Sequence, residues 1–165
     1  MTSAAPITKL ESLSVSDLLA DQDLSVDDLK RVFDLSGRVK ATPARFAQAL
    51  RGKQLAMIFE KPSLRTRTTF EVGMTSMGGF AVYLDHTKPR LGEREAIKDI
   101  ARNLERWVHG IVARTFAHDS VLELAANSSV RVCACRAHGT PPADELGSAA
   151  RLHKSAPSDL RLPAW

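Results

Sequence analysis

Ser63, Arg65 and Thr66 lie within four consecutive positions, directly after Pro62, and Arg67 follows. Two hydroxyl donors and a planar guanidinium at that spacing suit an oxyanion: the guanidinium fork matches phosphate oxygens, and each charge-assisted hydrogen bond contributes roughly 1.5–3 kcal/mol. The apolar run Leu55-Ala56-Met57-Ile58-Phe59 precedes them and reads as a buried strand. Pro62 turns the chain, and Arg65 to Met77 has the length of a helix, with Phe70, Met74 and Met77 on one face. The candidate residues therefore stand where a strand hands over to a helix N-terminus, whose unpaired N–H groups and partial positive charge attract anions. Taken alone, Ser-x-Arg-Thr is also what a capped helix with two solvated arginines looks like.

The remaining elements follow from the same patterning. Ser25 and Asp28 have capping-box spacing and open a helix carrying Leu29, Val32, Phe33, Ser36 and Val39. Pro43 fits the first turn of a short helix, Ala44 to Leu50, with Gly52 just past its end. Gly78-Gly79 ends the helix after the candidate site, and Phe80 to Leu84 is a second strand. A polar loop, Asp85 to Gly92, leads to a helix over Arg94–Trp107 with Ile97, Ile100, Ala101 and Leu104 inward. Gly110 to Arg114 is a third strand, His118 to Asn127 a helix, and Val130 to Cys133 a fourth strand. Strands alternating with helices at this spacing predict an α/β fold, a parallel sheet with helices on both faces and Leu55–Phe59 central. Ligands of such sheets bind at the carboxyl ends of strands, where Ser63, the 85–92 loop and Arg114 fall.

Composition sets the class. The chain of 165 residues is long enough for one domain with a core and hardly for two. No apolar run spans a bilayer, and the N-terminus lacks a basic segment followed by an apolar one, so a cytoplasmic protein is expected. Residues 11–34 are mostly acidic and 38–67 mostly basic, a distribution that suits an anionic partner; interleaved aromatic and basic residues of the RNA-binding kind are missing. Cys133 and Cys135 with His138 lack the paired second half of a zinc site, and no metal or other cofactor is expected. His86, His109 and His118 have no partner pattern of a general base. From Arg131 on, about half of the residues are Ala, Arg, Pro or Gly. Three segments are therefore expected: a flexible start over 1–14, a folded domain over 15–130, and a disordered tail over 131–165.

The string Phe59-Glu60-Lys61-Pro62-Ser63-Leu64-Arg65-Thr66-Arg67-Thr68-Thr69-Phe70 closely resembles the carbamoyl-phosphate motif of the aspartate/ornithine carbamoyltransferase family, and Lys61 after Glu60 resembles its ornithine branch. The resemblance runs to about Val130. It implies binding of carbamoyl phosphate or phosphate by Ser63, Leu64, Arg65 and Thr66, Leu64 replacing a frequent threonine and leaving its backbone N–H to serve. It also implies a ligand role for Arg114, at the end of the third strand, where a solvated strand-end arginine is the plainer reading. Arg65, Thr66 and Arg114 become the expected catalytic residues. Arg90 stands where relatives carry Gln or His reaching into a neighbouring subunit, and reads equally as a phosphate ligand or a solvated loop charge.

The reaction so implied is transfer of the carbamoyl group to ornithine, giving citrulline and phosphate, within arginine metabolism. The family assembles as trimers through this domain. The His-Pro-x-Gln motif and the ornithine-binding motifs of relatives do not occur in the sequence, which predicts a truncated or frame-shifted product, inactive alone. A non-catalytic phosphate-binding or subunit-interaction module is the alternative. No nucleic-acid or membrane partner is expected.

Overall fold

The computed structural model describes residues 12–135. Four strands, β1 (Gln54–Phe59), β2 (Phe80–Asp85), β3 (Gly110–Arg114) and β4 (Arg131–Ala134), form one sheet in the order β2-β1-β3-β4. All three pairings are parallel. Four helices, α1 (Val26–Ala41), α2 (Leu64–Ser76), α3 (Ile97–Leu104) and α4 (His118–Ala126), connect or precede them. β1 is interior, as its apolar sequence requires: Ala56 to Phe59 are completely inaccessible.

The chain leaves β1 toward β2 on one side and returns to β3 on the other, so α2 lies on the opposite face from α3 and α4. Ala56, Ile58, Ile111 and Ala113 pack on one face with Ile97, Ala101 and Leu104 of α3 and Val121 and Leu124 of α4. Met57, Phe59 and Val112 make a smaller core on the other face, where Phe70 of α2, Ala81 and Tyr83 cover them. The alternation along β1 and β3 is the period of two that sends successive side chains to opposite faces.

Several boundaries differ from the sequence reading. The helix expected over 94–107 is formed only from Ile97 to Leu104, because Ala96 provides no side-chain cap and Glu105 to Trp107 wind into a turn. The segment after Pro43 makes a single 3-10 turn, Pro43–Phe46, whose buried member is Phe46. The apolar stripe of α1 is only partly covered: Val32 and Phe33 are exposed, since α1 packs on that turn and not on the sheet. The fourth strand exists, so a tail boundary at 131 falls inside the folded domain. β4 pairs with β3, and Val132 is buried. The expectation for 136–165 lies outside the described residues, as does that for 1–11.

The N-terminal end of the described chain is stapled to β4 and α1. Leu18 bridges Cys133 in parallel, and the Val132 N–H donates to Asp17 Oδ1 at 2.7 Å. Asp28 is fully buried, accepts from the Ser14 N–H at 3.0 Å and from the Ser25 hydroxyl at 2.6 Å, and also bonds the Ser14 hydroxyl. These hydrogen bonds hold its carboxyl far below the usual carboxylate range. At its far end α2 closes with a Schellman motif: the Gly79 N–H donates to Met74 O at 2.8 Å and the Gly78 N–H to Thr75 O at 3.1 Å. Gly78 has φ of 80°, a conformation that favours glycine.

Candidate active site

The topology reverses between β1 and β3, and in open parallel sheets the crevice at such a reversal is where ligands sit. The register aligns Phe59 with Asp85 on one side and with Arg114 on the other, so the turns after β1, β2 and β3 start at one level. The turn after β1 delivers Ser63 to α2, and Arg114 is the last residue of β3.

Ser63 is the N-cap of α2, but its hydroxyl makes no hydrogen bond to the helix amides. It donates instead to Thr66 Oγ1 at 2.8 Å. Arg114 Nη1 donates to Ser63 Oγ at 2.9 Å and to Thr66 Oγ1 at 3.1 Å, joining both hydroxyls to the guanidinium. Its Nε is buried with no acceptor among the described residues. The first turn of α2 therefore keeps its amides available, carries no acidic residue, and has a guanidinium against it.

The structure thus brings Ser63, Thr66 and Arg114 together. Leu64 is 82% exposed, which leaves its backbone as its contribution. Arg65 is exposed and makes no hydrogen bond or ion pair among the described residues. Arg67 faces away from this cluster, pairing with Glu71 at 2.9 Å and lying 3.9 Å over the Tyr83 ring. Arg90 does not join the hydroxyl cluster: its guanidinium lies 4.6 Å over the Phe116 ring, and its N–H donates to Glu93. Lys61 approaches that ring too, at 4.3 Å. The mouth of the crevice is strongly cationic.

Sequence reasoning gave no site role to Glu60 or Phe116 and weighed Cys135 only as a metal ligand. Glu60 is 5% exposed and accepts the Leu91 N–H at 3.1 Å and the Phe116 N–H at 2.6 Å, tying the turn after β1 to the loops after β2 and β3. Beyond its place in the motif string, its sequence signal is a carboxylate directly after an apolar run. Phe116 reads in sequence as an ordinary loop aromatic. Cys135 lies beside the cluster, and its N–H donates to Ala113 O at 2.8 Å. Burial pushes its thiol pKa up, against the opposing pull of the Arg114 charge and a hydrogen bond with Thr66. Asp85, at the end of β2, is held below its ordinary value by Thr87, whose hydroxyl and N–H both donate to it. His86 is anchored by its N–H to Phe59 O at 2.9 Å, and its buried Nδ1 finds no partner among the described residues.

The arrangement can hold a small dianion on the helix end and place a carbonyl oxygen near a guanidinium. The sequence matches the carbamoyl-P binding domain of aspartate/ornithine carbamoyltransferases over residues 16–147, past the Val130 limit of the motif-level resemblance. The chain belongs to this carbamoyltransferase family. It is 46% identical over 118 residues to the ornithine carbamoyltransferase of Vibrio sp. (strain 2693), covering 72% of this chain and 39% of that protein. It is 39% identical over 149 residues to that of Deinococcus radiodurans, covering 90% of this chain and 48% of that one. Among solved structures, ornithine carbamoyltransferase from Thermus thermophilus superposes with a TM-score of 0.69 at 42% identity, covering 85% of this chain and 48% of that one. The Pyrococcus furiosus enzyme gives 0.73 at 33% identity, covering 87% and 47%. The chain thus spans less than half the length of these relatives. Among the described residues no helix is long and apolar enough to cross a membrane.

Proposed function

We propose that this chain forms the carbamoyl-phosphate half of an ornithine carbamoyltransferase. The observation that carries the reading is the hydrogen-bonded cluster of Ser63, Thr66 and Arg114 against the uncapped end of α2. In the transfer, an amine attacks the carbonyl carbon of carbamoyl phosphate, a C–N bond forms, the C–O bond to phosphate breaks, and the amine gives up a proton. The chemistry requires the reactants to be held together and charge to be stabilised on the carbonyl oxygen and the leaving phosphate. Arg65, Ser63 and the free amides at Leu64 and Thr66 would hold the phosphate. Arg114 and the Thr66 hydroxyl would polarise the carbonyl. The acceptor is assigned as ornithine because relatives at 46% and 39% identity are named for it, whereas an acetylornithine transcarbamylase is 28% identical. A role in arginine metabolism and trimeric assembly through this domain come with that assignment. The absence of a long apolar helix among the described residues and the free thiols of Cys133 and Cys135 support a cytoplasmic setting.

A second reading is a phosphate-binding or subunit-interaction module without turnover, since the Ser63, Thr66 and Arg114 cluster needs only to hold an anion. Calorimetric titration with carbamoyl phosphate, then with ornithine, tests both together with a citrulline assay. Binding of carbamoyl phosphate without citrulline formation supports the module. Citrulline formation supports the enzyme. Failure of carbamoyl phosphate to bind refutes the site.

A further inference from the structure

We propose that Glu60 is a positioning residue for the anion site, acting through the loops after β2 and β3 without touching the anion. The inference rests on the reading of Ser63, Thr66 and Arg114 as the phosphate-side cluster. Burying a carboxylate is costly unless its oxygens are satisfied. No cation pairs with Glu60 among the described residues. Lys61, its chain neighbour, stands over the Phe116 ring instead. Two backbone N–H groups from separate loops satisfy it, Leu91 on Oε1 and Phe116 on Oε2.

The consequence for the site is geometric. Glu60 grips the strand end of Arg114 from both sides, because its own N–H donates to Arg114 O at 2.9 Å while Oε2 takes the N–H two residues later. The backbone carrying Arg114 is thereby fixed relative to the turn carrying Ser63, the relation that puts Nη1 within 3.1 Å of both hydroxyls. The bond to Leu91 fixes the residue after Arg90, and the bond to Phe116 fixes the ring that Arg90 and Lys61 share. One carboxylate sets the placement of three cations around the crevice. A glutamine has nearly the same shape but offers one acceptor oxygen, and its amide N–H would confront one of the two loop N–H groups.

The test is phosphate affinity of the full chain, measured calorimetrically well below its melting temperature, so that a loss of stability does not enter. Glu60→Gln should weaken inorganic phosphate roughly tenfold, the low end of what outer-shell partners of bound ions contribute. Combining it with Arg114→Lys should cost less than the product of the two single effects, because both act through the same guanidinium. A lowered melting temperature with unchanged phosphate affinity would make Glu60 merely structural and overturn the proposal. A second measurement needs no variant: phosphate should slow amide exchange at Leu91 and Phe116 in the parent chain and leave Thr42, the C-cap of α1, unchanged. No added protection at those two amides overturns the proposal even where Glu60→Gln does not fold. A parent chain that fails to bind phosphate overturns the site and this inference together. Binding that is insensitive to Glu60→Gln overturns this inference alone.

Discussion

Arg65→Ala should have opposite effects on the free and the phosphate-bound protein. In the free chain Arg65 is exposed, has no partner among the described residues, and sits at the second position of α2, where the helix end is already partly positive. A cation there is unfavourable by about 0.3–1 kcal/mol at low ionic strength, and alanine is the better helix former. The variant should therefore melt slightly higher than the parent without ligand. With phosphate at a hundredfold excess over the parent Kd, mass action stabilises the parent by about 2.7 kcal/mol. Losing a charge-assisted interaction of about 2 kcal/mol weakens binding roughly thirtyfold, which leaves about 0.9 kcal/mol of stabilisation at the same phosphate concentration. At about 3 °C per kcal/mol for a domain of this size, the phosphate-induced rise in Tm should fall from about 8 °C to about 2–3 °C. Scanning calorimetry in phosphate against chloride at matched ionic strength measures it, since screening is then constant. Equal phosphate shifts in parent and variant would mean that Arg65 does not contact the anion. A lower Tm of the ligand-free variant would mean that Arg65 has a structural role.

Three further outcomes are expected. Gly78→Ala should destabilise the domain by roughly 1–2 kcal/mol, read as a lower urea midpoint, because φ is 80° and a Cβ would stand 3.0 Å from Ala47 O. Asp28 has a depressed pKa in the fold, so its stabilisation is complete above the ordinary carboxylate range and is lost as pH falls below it; Asp28→Asn should flatten the acid side of the stability profile, measured by thermal melts from pH 6 down to about pH 2. Cys135 should react slowly with iodoacetamide at neutral pH and faster as pH rises, since its thiol pKa is raised, and phosphate should slow the reaction further by occupying the neighbouring Thr66 and Arg114; mass spectrometry of the labelled cysteines measures it.

The sheet was legible because Leu55 to Phe59 of β1 and Ile111 to Ala113 of β3 are continuous apolar runs, as a strand covered on both faces requires. The candidate phosphate-side residues stood out because Ser63, Arg65 and Thr66 are neighbours in a stretch that resembles the family motif, and the topology brings Arg114 to Ser63 and Thr66. What the sequence hid is non-local. Glu60 satisfies amides 31 and 56 residues away, a pairing that no spacing rule encodes. α1 misled for the opposite reason. Its stripe of Leu29, Val32, Phe33 and Val39 has the right period, but periodicity shows only that a face is apolar, and Phe33 remains 51% exposed. Arg90 had two readings, an anion ligand or a solvated charge. The fold adds a third placement, over an aromatic ring beside Lys61.

The two candidate arginines therefore differ in preparation. Arg114 is committed before any ligand arrives: its strand is buried between β1 and β4, its backbone is gripped by Glu60, and one of its nitrogens already bonds two hydroxyls. Its rotamer entropy is spent in folding, so binding an anion there costs little further ordering. Arg65 is free and must be ordered when the anion binds, at a cost of about 0.5–1.5 kcal/mol for an immobilised long side chain. A rigid guanidinium suits a carbonyl oxygen, whose position must be fixed to within a fraction of an ångström for charge to be stabilised as it develops. A mobile one suits a phosphate, which is bound as a dianion at the start and must leave at the end. Under the proposed function, the strand-end arginine would face the atom that reacts and the helix-start arginine the group that departs.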